Sequence, residues 1–296
     1  MGRAGIRGPA ERTPAMINTI IFSKDRACQL DLLLSSMKRF FREWREQHVS
    51  VLYACSGEGY RSGYEKVMRL HPEFHYVREA SFKEDVVRLF QDFRRPYTSF
   101  LVDDDMFIDD LTLESPEFRT FASKPRILCL SCRMCPRLDY FYVKDLEVPP
   151  PRFKRDRRWR WKGLRGDWGY PMSVSGLHVF RTEDLARPIL ESGYWNPNTF
   201  EGRALMPNPP RRPFMICFEE AKVFCVAVNK VQTVNQNRHS NSYPVEELNS
   251  RFLDGRRLSC ANNHRVRMRS AHGEVAYEWV ETAPQPARAP SPDPAA

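Results

Sequence analysis

Three consecutive aspartates form the chain's most informative chemical pattern. Asp103, Asp104 and Asp105 directly follow the apolar run Phe100–Val102. Carboxylates gathered at the end of a buried strand repel one another and lose hydration, a cost that a bound hard cation offsets. Alternate residues of an extended chain point to the same side, so Asp103 and Asp105 are expected to share one ion. The ordinary alternative is an acidic turn that caps the next segment, but the position after an apolar strand favours a metal site.

Two familiar metal and phosphate chemistries are disfavoured by the residues around this triplet. An EF-hand loop needs glycine at its sixth position, where this chain has Ile108. An aspartyl-phosphate phosphatase would carry its aspartate pair after the first strand, where the chain reads Ser23-Lys-Asp-Arg26. That loop instead suits phosphate, because Ser23 and the amides of the following helix can meet phosphate oxygens while Lys24 or Arg26 supplies charge. A surface loop that caps the helix is the alternative.

Two spaced motifs point less clearly to chemistry. Gly57–Gly63 resembles a dinucleotide fingerprint, but it has one residue too many and follows the second strand, so a flexible turn is the better interpretation. Cys129, Cys132 and Cys135 have a spacing that would send them to opposite faces of a strand, which favours structural thiols over a zinc site.

Two carboxylates and a histidine in the second half are further candidates. Asp167 and Trp168 lie in a tight turn where an aromatic face and an acceptor would suit a sugar ring, although a packed loop is the alternative. Glu201 is another carboxylate at a turn. His239 follows an apolar strand in a polar loop; an exposed histidine is the ordinary reading, but its imidazole could complete a metal shell around Asp105.

The elements that must position these residues alternate regularly in the first half. Short apolar runs predict strands at Ile17–Phe22, Val49–Cys55, Phe74–Val77 and Ser99–Val102. Helical periodicity predicts helices between them, at Gln29–Trp44, Tyr64–Leu70 and Phe82–Phe93. Such alternation predicts an α/β fold with a mostly parallel sheet and helices on both faces. Ligands of such sheets bind at the carboxyl ends of the strands, which here places the loops 23–28, 55–63, 78–85 and 103–109 at the site.

The second half is less regular and reads as an acceptor or lid region. We expect strands at Ile127–Cys132, Ser173–Phe180 and Val223–Val228, helices at Glu183–Glu191 and Val245–Leu253, and a long basic loop over 149–165. The predicted organisation is a disordered arm at 1–15, one domain at 16–282 with a nucleotide-binding half (16–125) and an acceptor half (126–282), and a disordered Pro/Ala tail at 283–296.

The excess positive charge is local. The chain of 296 residues carries a net +9, of which 152–165 contributes +7 and 1–15 contributes +2, leaving the remainder neutral. This distribution disfavours a protein that binds nucleic acid over its whole surface. A protein that binds nucleic acid or an anionic surface through the basic segment and its tryptophans remains an alternative. We expect Arg157, Arg158, Trp161 and Trp168 to form a lid over a diphosphate or an anionic acceptor.

The compartment is inferred from absent signals and from the cysteines. No apolar run reaches the roughly 18–20 residues of a membrane span, and the first fifteen residues lack an apolar signal region. Eight cysteines in a chain of this length are too sparse for a disulfide scaffold. A reducing cytoplasm is the predicted location.

Taken in chain order, these motifs resemble GT-A fold nucleotide-sugar glycosyltransferases, most closely the bacterial family 2 type. The resemblance extends from about Met16 to Leu258 and rests on the order and strand context of the motifs at Ser23–Arg26, Asp103–Asp105, Ser175–Arg181, Glu201 and His239. It implies a Mn²⁺ or Mg²⁺ cofactor, a nucleotide-sugar donor, expected to be a UDP-sugar, and a saccharide or other hydroxyl acceptor. The reaction implied is transfer with inversion.

Carried over residue by residue, the resemblance assigns roles to named side chains. Asp103 would contact ribose or metal-bound water, and Asp105 and His239 would ligate the cation. The candidate nucleotide contacts are Ser23, Lys24, Arg26, Glu58, Lys83, Asp103 and Asp104. Glu201 would be the base, but Gly202 follows it where the family usually has a second acid, so Asp167 stays open as the base. A nucleotidyltransferase is the other enzyme class considered, although its Gly-rich signature loop after the first strand is missing.

Overall fold

A computed structural model describes residues 16–207, 209–231 and 238–281. The predicted arm at 1–15 and tail at 283–296 lie outside the described residues. The helices are α1 Ala27–Phe40, α2 Glu58–Leu70, α3 Phe82–Asp92, α4 Pro116–Ser123, α5 Thr182–Glu191, α6 Pro197–Thr199 and α7 Val245–Leu253. The strands are β1 Ile17–Lys24, β2 His48–Ala54, β3 His75–Arg78, β4 Tyr97–Val102, β5 Asp105–Phe107, β6 Ile127–Ser131, β7 Tyr140–Phe141, β8 Leu146–Glu147, β9 Arg158–Arg160, β10 His178–Arg181, β11 Phe214–Cys217, β12 Val223–Val226, β13 Arg256–Leu258, β14 His272–Gly273 and β15 Trp279–Glu281.

An eight-stranded sheet, in the order β3-β2-β1-β4-β10-β6-β11-β9, forms the centre of the molecule. Strands β3, β2, β1 and β4 are parallel, as are β6 and β11, while β10 and the edge strand β9 run antiparallel to their neighbours. The α/β class with a mostly parallel sheet is thus confirmed. A smaller sheet has the strand order β14-β12-β5. Its strand β5 begins at Asp105, the last residue of the aspartate triplet.

Strand β1 shows why the main sheet is covered on both faces. Ile17 and Ile21 belong to one buried cluster, whereas Ile20 and Phe22 belong to the other. Successive side chains of a strand point to opposite faces, so a strand that is apolar at nearly every position must be buried on both. The first cluster includes the apolar face of α1, and the second includes that of α3. This packing fixes the carboxyl ends of β1 and β4 side by side.

Several expected boundaries differ from the structure. The predicted flexible turn at Gly57–Gly63 is wrong, because helix α2 begins at Glu58, six residues before the predicted start at Tyr64. The predicted helix Gln29–Trp44 ends at Phe40, and a separate short 3₁₀ turn covers Trp44–Glu46. The predicted strand Ser173–Phe180 begins only at His178, because the preceding residues form a loop that contacts the site. The basic stretch 149–165 is not a loop throughout, since β9 pairs with β11 and buries Trp159 at 1% exposure.

Both predicted halves contribute strands to the same sheet, since β6, β9, β10 and β11 follow residue 125 in the chain. The proposed division at 125/126 therefore stays a prediction about roles and not about separate cores. Within the residues that the structure describes, no helix is both long and apolar enough to cross a membrane.

Candidate functional site

Asp103 gathers donors from the loop that follows β1. Its carboxylate accepts hydrogen bonds from the Ser23 hydroxyl (3.0 Å) and the Lys24 backbone amide (2.9 Å). The Arg26 guanidinium adds a charged hydrogen bond of 3.0 Å. These contacts arise because β1 and β4 are adjacent parallel strands whose ends, Phe22 and Val102, are in register. The sequence placed Ser23, Lys24, Arg26 and Asp103 at one site, and the structure brings them together.

Arg26 also binds the second aspartate of the triplet. Its Nη1 donates to Asp104 at 2.7 Å, and its Nη2 donates to the Asn229 backbone oxygen at 2.7 Å. The guanidinium side chain is only 7% exposed, so these partners compensate for the loss of hydration. Burial raises the pKa of Asp103, whereas the positive charge of Arg26 acts in the opposite direction. Asn229, which sequence reasoning missed, closes the cluster from the segment after β12.

Asp105 accepts its hydrogen bonds from a different part of the chain. Its Oδ2 accepts the backbone amides of Val102 (2.9 Å) and Gly176 (2.8 Å), while its buried Oδ1 has no hydrogen-bond partner among the described residues. Burial, followed by the neighbouring charge of Asp104, raises the pKa of Asp105 to about 8. The third carboxylate of the triplet is therefore held at the start of the small sheet.

The aspartate triplet does not form one shared cation site among the described residues. Asp103 accepts hydrogen bonds from the β1–α1 loop, whereas Asp105 accepts one from Gly176, so the two carboxylates are held by different segments. Across 16–207, 209–231 and 238–281, no group of three or more acidic, histidine or cysteine side chains could hold a metal ion. His239 is half-buried, and its ligand role stays a prediction. The residues in this arrangement do not fit a resident ion, and Mn²⁺ or Mg²⁺ stays a prediction.

The loop 173–176 connects Asp105 to the other candidate residues. The Val174 amide donates to Glu201 Oε1 at 2.9 Å, and the Ser175 hydroxyl accepts from Arg133 Nη1 at 2.8 Å. Gly176, the donor to Asp105, has φ of 74°, which favours glycine. A Cβ at Gly176 would also lie 2.3 Å from Arg133 Cδ, so no other residue fits without displacing the arginine.

Two hydrogen bonds orient the Glu201 side chain, which is only half-buried. It lies in a short π-helix, Phe200–Leu205, and accepts a second hydrogen bond from the Tyr170 hydroxyl at 2.9 Å. Each carboxylate oxygen thus has one donor, and each keeps a lone pair. Glu201 is half-buried and oriented from two sides, which is the condition in which a carboxylate can take a proton from a bound hydroxyl.

Asp167 has a contrasting environment. It is buried, accepts Arg133 Nη2 at 2.9 Å and lies 3.6 Å from His272 Nδ1. Burial alone would raise the pKa of Asp167, but Arg133 and His272 outweigh it and hold this pKa at about 2. A carboxylate stabilised so strongly in its charged form is a poor proton acceptor at neutral pH.

Arg133 and His272 were not identified from the sequence. Arg133 lies two residues after the end of strand β6, between Cys132 and Cys135, and a charged residue just after a buried strand was the available signal. His272 comes from β14 and had no local signal. The cysteines themselves, Cys129, Cys132 and Cys135, are buried free thiols, as expected.

The remaining nucleotide candidates have their described contacts outside the aspartate cluster. Glu58 is exposed in the first turn of α2 and forms an ion pair of 3.5 Å with Arg61. Lys83 lies over the Tyr194 ring, 5.8 Å from its centroid. Neither has a described contact with Asp103 or Arg26, so their nucleotide roles stay predictions without added support.

The expected lid residues are fixed to the body of the protein. Arg157 pairs with Glu117 and with Glu219, Arg158 pairs with Asp156 at 2.7 Å, and Trp161 donates to the Arg212 backbone oxygen at 2.8 Å. The expectation that Trp168 offers its ring to a ligand is wrong, because Trp168 is 3% exposed and packs edge-on against Trp159, 5.2 Å away. The sheet edge formed by β9 anchors this segment.

Comparisons with known proteins extend these observations. No family model matches the chain. Its sequence is 23% identical over 278 residues to the bifunctional glycosyltransferase pgtA of Dictyostelium discoideum, covering 82% of this chain and 36% of that protein. The chain therefore spans about a third of the length of this relative.

The similarity to solved structures is low. The crystal structure of S. aureus TarS 1-349 matches 72% of this chain and 60% of its own, with 15% identity and a TM-score of 0.46. The mannosyltransferase PcManGT from Pyrobaculum calidifontis, in complex with GDP-Man and Mn²⁺, matches 61% and 50%, with 14% identity and a TM-score of 0.33. The resemblance to glycosyltransferases indicated by the sequence is confirmed as a distant similarity.

Proposed function

We propose that this protein is a glycosyltransferase that moves a sugar from a nucleotide-sugar donor, specifically a UDP-sugar, to an acceptor hydroxyl with inversion. The observation that carries the proposal is the cluster of Ser23, Lys24, Arg26, Asp103 and Asp104 at the adjoining carboxyl ends of β1 and β4. Parallel sheets bind their ligands at that edge. The distant sequence similarity to a glycosyltransferase supports the same reaction class.

Donor binding is assigned to the aspartate cluster. A carboxylate that is held by several donors is a rigid acceptor for the hydroxyls of a ribose, and Asp103 is such a group. Lys24 has an exposed side chain next to it and can meet a phosphate oxygen. Arg26 neutralises the paired aspartates, so the anionic donor approaches a cluster whose negative charge is partly balanced.

Glu201 is the proposed base. It removes the proton from the acceptor hydroxyl as that oxygen attacks the anomeric carbon of the donor sugar. The bond from this carbon to the diphosphate oxygen breaks, and its electron pair leaves with the nucleoside diphosphate. Attack opposite to the leaving group inverts the anomeric centre. We prefer Glu201 to Asp167, because Asp167 is locked in an ion pair with buried Arg133.

Metal dependence is a separate part of the proposal. No step is assigned to Mn²⁺ or Mg²⁺, since the predicted ligands Asp103, Asp105 and His239 do not form a common site in this arrangement. The measurement is the affinity for UDP in excess EDTA and in excess Mn²⁺. Tighter binding by tenfold or more with Mn²⁺ would support metal dependence, whereas equal affinities would remove the cation from the proposal.

The function itself is tested by nucleotide binding to the whole chain. Calorimetric titration with UDP, GDP and CDP is expected to show a preference for UDP. Asp103→Asn is expected to weaken UDP at least about tenfold, because it replaces a charged acceptor with a neutral one. Asp92→Asn, at an exposed position, is the matched control. Absence of nucleotide binding in the folded wild-type protein would overturn the proposal.

A further inference from the structure

A cavity is lined by residues outside the aspartate cluster. It has a volume of about 220 Å³ and is lined by segments that follow β5 and β6, precede or enter β12, and precede β14. Ile108 and Asp109 line it at the far end of β5, while Phe224 and Met268 contribute apolar wall. None of the residues that line it belongs to the cluster proposed for the nucleotide. The two sites are therefore separate.

The charged groups around this cavity favour an anion. Three arginines, Arg133, Arg137 and Arg267, line the cavity together with two acidic residues, Asp109 and Glu220. Both carboxylates are already paired, Glu220 with Arg137 and Asp109 with Lys222. Both acidic groups of the cavity are thus neutralised, and the arginines carry positive charge that these carboxylates do not balance.

Arg267 is one source of that available charge. Its only described hydrogen bonds are to the backbone oxygens of His264 (2.7 Å) and Val266 (3.2 Å) through Nη1. No carboxylate pairs with it among the described residues. A guanidinium that is held at one nitrogen by carbonyl groups keeps its remaining donors for a ligand.

Arg133 supplies a buried donor in the same cavity. The side chain is 2% exposed, and its Nη atoms are used by Ser175 and Asp167. Its Nε is buried and has no hydrogen-bond partner among the described residues. A buried donor without a partner costs free energy, and a bound anion would supply the missing acceptor.

We propose that this cavity binds a small oxyanion, inorganic phosphate or a phosphate group of similar size. Arginines bind phosphate oxygens with paired, charge-assisted hydrogen bonds, and the cavity presents two arginines with donors to spare. The neighbouring apolar wall of Phe224 and Met268 limits competition from water. Binding here also supports Arg133, which holds both Asp167 and the loop at Ser175.

The test uses inorganic phosphate and the whole protein without sugar or metal. Isothermal titration and thermal unfolding are measured for the wild type, for Arg267→Gln, which removes charge at an exposed position, and for Ala221→Phe, which fills the cavity. Arg187→Gln, in α5 at 85% side-chain exposure and outside the cavity, is the control. UDP titration of the same proteins reports on the other site.

The expected result is one phosphate per chain, bound about tenfold more weakly in both cavity variants and unchanged in Arg187→Gln. UDP affinity should stay within twofold in every variant, and saturating UDP should not displace phosphate. Phosphate affinity that is equal in the wild type and in the cavity variants would overturn the inference, as would displacement by UDP. Because UDP binding is read separately, this outcome is distinct from failure of the glycosyltransferase proposal.

Discussion

Asp105 and Glu201 are anchored to the same short loop, at backbone amides that are two residues apart. The Gly176 amide donates to Asp105 at 2.8 Å, and the Val174 amide donates to Glu201 at 2.9 Å. Between them, the Ser175 hydroxyl accepts from the buried Arg133. A displacement of this loop would therefore move the end of the aspartate triplet and the proposed base together.

Gly176→Ala is expected to disturb both anchors. The new Cβ would lie 2.3 Å from Arg133 Cδ on a backbone with φ of 74°, so the arginine or the loop must shift. We expect a loss of roughly 1–3 kcal/mol of stability and a clear fall in transferase activity. Urea unfolding and initial rates measure the two effects. Gly193→Ala is the control, since nothing lies within 4 Å of its new methyl group; equal effects in both variants would contradict the loop's role.

Glu201→Gln is expected to lower kcat by about 10²- to 10⁴-fold, because the amide retains an acceptor oxygen but cannot take the acceptor proton. The KM for the donor should change little, since Glu201 lies outside the aspartate cluster. Steady-state kinetics with a UDP-sugar provide the measurement. A kcat within threefold of the wild type would remove Glu201 as the base.

Asp167→Asn is expected to act mainly on stability. It leaves the positive charge of Arg133 buried without its carboxylate partner, a change that costs about 3–5 kcal/mol. Chemical unfolding would show the loss, and any protein that remains folded should retain most of its kcat. If the variant keeps full stability but loses its kcat, Asp167 and not Glu201 is the base.

Acid should weaken the fold through His178. This side chain is fully buried, and burial lowers its pKa to about 3, while the unfolded chain has the ordinary value near 6.5. The unfolded state therefore binds the proton first, and stability falls as pH drops from about 6.5 towards 3, by up to about 1.4 kcal/mol per unit. Unfolding free energies at pH 7, 6 and 5 give the slope.

Two variants assign that slope. His178→Phe removes the titrating group and should reduce the pH dependence, whatever its effect on absolute stability. His264→Asn, at an exposed position, should leave the slope unchanged. An unaltered slope in His178→Phe would mean that another group dominates.

Trp159→Ala should cost about 3–5 kcal/mol, because this ring is 1% exposed beneath the basic segment and its Nε1 donates to the Trp168 backbone oxygen at 3.0 Å. Trp195→Ala is the comparison, since that ring is 56% exposed, and it should cost under about 1 kcal/mol. Thermal and urea unfolding distinguish the two. Similar small losses would indicate that the segment is a detachable lid after all.

The alternation of strands and helices, and the position of the aspartates after a buried strand, could be predicted from the amino-acid sequence. Both are local properties: Ile17–Phe22 is apolar at nearly every position, and helix α7 was predicted with its observed bounds, Val245–Leu253. The clustering of Ser23–Arg26 with Asp103 followed from the rule that parallel strands end at one edge.

Which distant residues meet at that edge depends on how the whole chain packs. Strand β10 runs antiparallel between β4 and β6, and this pairing brings Gly176 to Asp105 although 71 positions separate them. Arg133, after β6, and His272, in β14, reach Asp167 in the same way from distant parts of the sequence. Periodicity reports the face on which a residue lies, but strand order and loop conformation depend on the packing of the whole core, which local patterns do not specify.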